Sequence, residues 1–273
     1  MPYRHAHWAV SGLIAATLLA FWPGYFSKLG EAQIAWHIHG VTASLWMILL
    51  LTQSWSIHAK HRAFHRFAGR AVFLLVPLFT VGGVAVVQTM AVATASGEDI
   101  FYNGFGAPLG IYDGLSTFGF VWMAAMAIRE RRNVRLHSAY MLATAILLIG
   151  PVLTRITDRY IPGIAIETPA DFWLFSWHLH ASTMVAVAIC LWLAQRNRAS
   201  ARPWYVAAGL SVAQSLGYAT VGSMPAWHDL FVRLADVPVA LLYLLAIITS
   251  AAAMAWAWTS VPGSTASPRP AAA

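Results

Sequence analysis

The sequence predicts an all-α integral membrane protein with eight transmembrane helices. Three observations carry this prediction. Of 273 residues, 59% are apolar and only 10% charged, against roughly a quarter charged in water-soluble domains. The apolar residues fall into eight stretches close to the length, about 20 residues, that crosses a hydrocarbon core. The basic residues gather in alternate connections between those stretches, as the insertion of oriented helices requires. The net charge of +7 therefore reports topology, and no nucleic-acid partner is expected.

Taken in order, the expected spans are Trp8–Phe26, Ile34–Trp55, Ala71–Ala95, Leu109–Ile128, Leu136–Thr154, Phe172–Ala194, Trp204–Val221 and Val237–Trp258. The first is a helix rather than a signal peptide, because Trp22-Pro23-Gly24-Tyr25-Phe26 follows its apolar run without a small-x-small cleavage site. Residues 1–258 form one transmembrane domain. The Pro-, Ala-, Ser- and Thr-rich stretch 259–273 is expected to be a disordered tail. Tryptophans near span ends, among them Trp8, Trp22, Trp55 and Trp258, suit the headgroup layer. The single Cys190 excludes a disulfide framework and a cysteine-built metal site.

Orientation follows from the connections. One alternating set holds Arg4, then Lys60, Arg62, Arg66 and Arg70, then Arg129, Arg131, Arg132 and Arg135, then Arg196, Arg198 and Arg202, and Arg269: 13 of the 17 basic residues. The other set holds Lys28, Arg155, Arg159 and Arg233, with nine of the ten acids. The basic set is expected on the cytoplasmic side of a bacterial inner (plasma) membrane, with both termini cytoplasmic.

One segment repeats. Trp36-His37-Ile38-His39-Gly40-Val41-Thr42 recurs 141 residues later as Trp177-His178-Leu179-His180-Ala181-Ser182-Thr183, and each copy opens an outer-to-inner span. Half-chain spacing reads as a four-plus-four parallel repeat with halves 1–130 and 131–258.

The 11 histidines fall into an outer group, His37, His39, His178, His180 and His228, and a cytoplasmic group, His5, His7, His58, His61, His65 and His137. Positions i and i+2 lie about 200° apart on a helix, so one member of each repeated pair faces a given partner. His39 shares the more polar face with Thr42, Trp46 and Gln53, and His180 shares one with Thr183. These two are the expected outer haem-iron ligands, with His37 and His178 as alternates. On the inner side, His65 and His137 open two spans that run outward and make the expected inner pair, with His7 as the rival to His65. Arg66 and Arg70, four residues apart, suit haem propionates or another anion. Asp113 is a candidate proton site.

The motif His65-Arg66-x-x-Gly69-Arg70, with His137-Ser138-Ala139-Tyr140-Met141, resembles a family of uncharacterised bacterial multi-pass membrane proteins. Single histidines at the ends of neighbouring helices are similar, more loosely, to transmembrane di-haem b-type cytochromes such as the ascorbate-linked ferric reductases. Eight spans rather than six, and the doubled Trp-His-x-His, depart from that second pattern. The leading expectation is a b-type cytochrome-like electron-transfer protein, with bis-histidine haem b and a quinone or another redox protein as partner. The competing expectations are an outer copper- or zinc-binding site built from His37, His39, His178 and His180, and a transporter or non-catalytic membrane subunit.

Overall fold

The computed structural model describes residues 2–261, all of whose regular structure is helical. In chain order the α-helices are α1 (Ala6–Phe21), α2 (Ile34–His58), α3 (Arg62–Gly69), α4 (Val72–Ser96), α5 (Ile100–Arg129), α6 (Val134–Tyr160), α7 (Trp173–Arg196), α8 (Ala201–Ala219), α9 (Pro225–Arg233) and α10 (Val239–Thr259). Six of them, α2, α4, α5, α6, α7 and α10, are long and apolar enough to cross a membrane. The chain has the make-up of a multi-pass membrane protein. The expected tail lies, from residue 262, outside the described residues.

The helix ends differ from the sequence expectation for local reasons. α1 stops at Phe21, ahead of Pro23-Gly24, and its 16 residues span only about 24 Å. α5 starts at Ile100, well before Leu109, because Asp99 caps it: its Oδ1 accepts from the backbone N–H of Phe101 at 2.9 Å and of Tyr102 at 3.1 Å. Pro108 is then carried inside α5 rather than ending a loop. α6 runs past Thr154 to Tyr160 and so holds Arg155, Asp158 and Arg159 in helical register. α8 is less apolar than the six because Ser211, Gln214 and Ser215 are buried against protein neighbours. By contrast, α10 exposes Leu241, Leu244, Leu245 and Ile248, a surface of the kind that meets lipid or another protein.

Several hydroxyls along the helices are satisfied internally, as water-free surroundings favour, although Ser54 Oγ of α2 is buried without a partner among the described residues. Thr42, Ser44, Thr80 and Thr183 each donate to the carbonyl four residues back, at 2.7–2.8 Å.

Five helices close a ring: α1 packs on α2, α2 on α4, α4 on α5, α5 on α6, and α6 back on α1. Trp46 of α2, fully buried, fills the middle of the ring and donates its indole N–H to Thr144 Oγ1 of α6 at 2.9 Å. Below it lies the main core, with Val76, Met123, Ala124, Tyr140 and Ala143 among its members. α7 and α8 pack outside the ring against α6 and α5, and α10 covers α4 and α5. Close approach of α2 and α4 depends on Gly82, where a Cβ would stand 2.8 Å from the His39 Cα and 2.9 Å from Thr42 Oγ1.

Candidate functional site

Above Trp46 the ring is open. A cavity of about 640 Å³ lies between α1, α2, α4, α5 and α6, with the start of α7 completing its rim. Its volume is within the range of small-molecule sites, about 300–1,000 Å³. It lies at the end of the bundle expected to be outer. The wall is mostly apolar and aromatic. A column of rings descends it: His39 lies 5.5 Å from Phe79, Phe79 stacks on Phe120 at 4.1 Å, and Phe120 meets Trp46 edge-on at 4.8 Å.

Among the polar groups of the cavity, His39, Asp113 and the rim charges matter most for chemistry. His39 sits one helical turn above Ala43 on α2, and both line the space. Its Nδ1 is buried and has no hydrogen-bond partner among the described residues, which leaves Nε2 as the nitrogen facing the cavity. Burying an orphaned donor is rarer than burying an orphaned acceptor, so the proton belongs on Nε2. The ring then offers one N–H to whatever fills the space. Asp113 of α5 also lines the cavity, without a hydrogen bond or ion pair among the described residues. At the rim, Asp158 is buried between Arg155 and Arg159, each at 3.7 Å, which is ion-pair rather than hydrogen-bond distance.

The two Trp-His-x-His copies act alike in space. The first histidine of each ties down the preceding connection: His37 Nδ1 bonds the Tyr25 hydroxyl at 3.0 Å, and His178 Nε2 donates to the Ile164 carbonyl at 2.8 Å. The second histidine faces the next long helix. His39 meets Phe79 of α4, and His180 meets Tyr218 of α8, both at 5.5 Å between centroids. His180 is bonded through Nδ1 to Ser215 Oγ at 2.7 Å. His39 and His180 therefore occupy different helix interfaces and are not brought together. α10, the last helix, packs on α4 and α5.

At the opposite end, three imidazoles donate Nδ1–H to a main-chain carbonyl, the only role an acceptor oxygen leaves them. His58 bonds Ser54 O at 2.7 Å, His65 bonds Gln53 O at 3.3 Å, and His137 bonds Ala127 O at 2.8 Å. Each keeps Nε2 as a free lone pair, the arrangement that orients ligating histidines. His137 is near enough to His65 to feel its charge. His7 on α1 has a buried, unpartnered Nδ1. Arg66 on α3 and Arg70 just after it are exposed. Among the described residues, no three His, Cys, Asp or Glu side chains converge as metal ligands.

His65 gives the site a pH dependence of definite sign. Partial burial lowers its pKa from the usual 6.5, the Gln53 carbonyl raises it, and neighbouring Arg66 lowers it, for a net decrease. The folded state therefore binds this proton less readily than the unfolded one. Its contribution is complete above about pH 6.5 and is lost as pH falls through the lowered folded value. Trypsin is expected to cut at Arg62 and Arg66 faster at pH 5.5 than at pH 7.5, after correction for protease activity, and His65→Gln is expected to flatten the difference.

Sequence reasoning singles out His39 but not the rim of Arg155, Asp158 and Arg159. A signal existed: Arg155 and Arg159 are two of only four basic residues on the side expected to be outer, an exception that charge counting treats as background. Comparisons with protein-family models, with curated proteins and with solved structures gave no match.

Proposed function

We propose that this chain is a multi-pass membrane protein that binds the head of an isoprenoid quinone in the outer cavity. The observation that carries the reading is the unpartnered His39 imidazole facing a cavity of about 640 Å³ with mainly apolar walls. A quinone head is a flat ring with carbonyl acceptors, which suits aromatic walls and a single imidazole N–H. Asp113, which lines the cavity, is the carboxylate that would exchange a proton with a reduced head. The isoprenoid tail follows the apolar wall or leaves between helices.

The topology that goes with this function is eight crossings, α1 and α8 joining the six long helices, with both termini cytoplasmic in a bacterial inner membrane. The like roles of the two Trp-His-x-His copies support a four-plus-four duplication whose last helix has been re-packed. The His65-Arg66-x-x-Gly69-Arg70 motif carries a resemblance to bacterial multi-pass membrane proteins.

Binding is tested by titrating a short-chain quinone into detergent-purified protein and following tryptophan quenching, since Trp36 and Trp46 line the cavity. The expected result is saturable binding that weakens roughly 3–10-fold in His39→Ala, the effect of one lost hydrogen bond, and is partly restored in His39→Gln. Absence of saturable binding, or an unchanged affinity in His39→Ala, contradicts the reading.

A second reading, bis-histidine haem b, is favoured by the carbonyl bonds that leave Nε2 of His65 and His137 free. It keeps the expected inner pair and gives up the outer one, His39 and His180, which occupy different helix interfaces. A dithionite-reduced minus oxidised spectrum with no Soret or α band after haem supplementation removes it. Copper or zinc on the outer histidines has less support, because His37, His178 and His180 are each engaged with separate neighbours.

A further inference from the structure

The connection between α2 and α4 is an amphipathic helix whose charges have no protein partner. α3 carries Arg62 and Arg66, with Lys60 before it and Arg70 immediately after. None of these four side chains makes a hydrogen bond or ion pair among the described residues, and all four are exposed. Lys60 has a positive φ of 65°, which turns the chain sharply out of α2. At about 100° per residue, Arg62, Arg66 and Arg70 make one stripe, and Phe67 and Phe64 make the next. His65 and Gly69 make the third stripe and dock on α2. His65 bonds the Gln53 carbonyl there, and a Cβ at Gly69 would stand 3.3 Å from Gln53 Oε1. Phe67 is 73% exposed and Phe64 44% exposed.

We infer that α3 lies in the membrane interface and holds the headgroup of an anionic phospholipid. Its docked stripe fixes the helix against α2. The two phenylalanines enter the acyl boundary, and the arginine stripe meets the phosphate layer. Charge complementarity selects the occupant. A zwitterionic lipid offers the arginines a phosphate already paired with its own cation, whereas phosphatidylglycerol offers an uncompensated one that guanidinium groups bind in a forked geometry. Like charges at Arg62 and Arg66, four residues apart, weaken an isolated helix, and a bound anion removes that repulsion. The site is independent of the outer cavity.

Native mass spectrometry of the full-length protein, taken from nanodiscs of equal phosphatidylcholine and phosphatidylglycerol, reads the retained lipid directly. Wild type is expected to keep phosphatidylglycerol over phosphatidylcholine by several-fold. The triple variant Arg62→Gln, Arg66→Gln, Arg70→Gln is expected to lose that preference. A charge-matched variant on the connection between α7 and α8, Arg196→Gln, Arg198→Gln, Arg202→Gln, is expected to keep it. Equal loss in both variants, no loss in the first, or no preference in wild type overturns the assignment. If the first variant does not fold, Phe64→Ser with Phe67→Ser tests the apolar half of the site: reduced phosphatidylglycerol retention supports it, and unchanged retention overturns it.

Discussion

Replacing Trp46 with alanine is expected to destabilise the protein by about 3–5 kcal/mol, the range for deleting a large buried aromatic side chain. Trp46 is fully buried and packs against Phe120 at the centre of the ring. Little in the surroundings can collapse into its place, because the space above it is already open. The lost area dominates over the lost hydrogen bond. Thr144 Oγ1 still donates to the Met141 carbonyl at 2.6 Å, so its hydroxyl is not left orphaned. Trp46→Phe, which keeps most of the area, should cost less, with the lost hydrogen bond contributing about 1 kcal/mol. Equilibrium unfolding in mixed detergent micelles separates the two. Equal costs would mean that the bond, not the packing, holds the floor of the cavity.

Replacing Ala43 with phenylalanine is expected to leave the fold intact and abolish quinone binding. Ala43 stands one turn below His39 and lines the cavity, so a benzyl group there enters existing space instead of over-packing a filled core. The ring would take the position proposed for the ligand head, between Phe79 and the opposing helices. The expected pattern is a helical circular-dichroism spectrum and stability near wild type, with no saturable tryptophan quenching. A variant that folds and binds with wild-type affinity would place the ligand elsewhere.

How much of this was legible in the sequence differs by level. Eight apolar segments are readable and each overlaps a helix, six of them long and apolar enough to cross a membrane, because hydropathy over about 20 residues is a property of composition. The ends are less readable. The start of α5 turns on one carboxylate, Asp99, caping two N–H groups, and on Pro108 being absorbed within a helix. The recurrence of Trp-His-x-His is legible. What it does not convey is which neighbours the two copies meet: α4 and the open ring for His39, Ser215 on α8 for His180.

The cavity itself was the least legible feature. It exists because five helices from both halves of the chain close on one another while Trp46 blocks the centre, and no local pattern encodes a space. Gly82 shows the difficulty. In sequence it is one of two adjacent glycines, whereas in the fold it lets α4 touch the His39 backbone. The rim charges have the same character. Arg155 and Asp158 read as the end of a span until helical register puts them over the opening.

Photolabelling with an azido-quinone, followed by peptide mapping of the membrane-embedded protein, tests the central claim most directly. The account predicts label on the cavity-facing segments of α2, α5 and α6 near His39, Asp113 and Pro151, displaced by excess unlabelled quinone and absent from Ala43→Phe. Label confined to the His180–Ser215 interface or to the opposite end near His137, with the outer cavity unmodified, would contradict it.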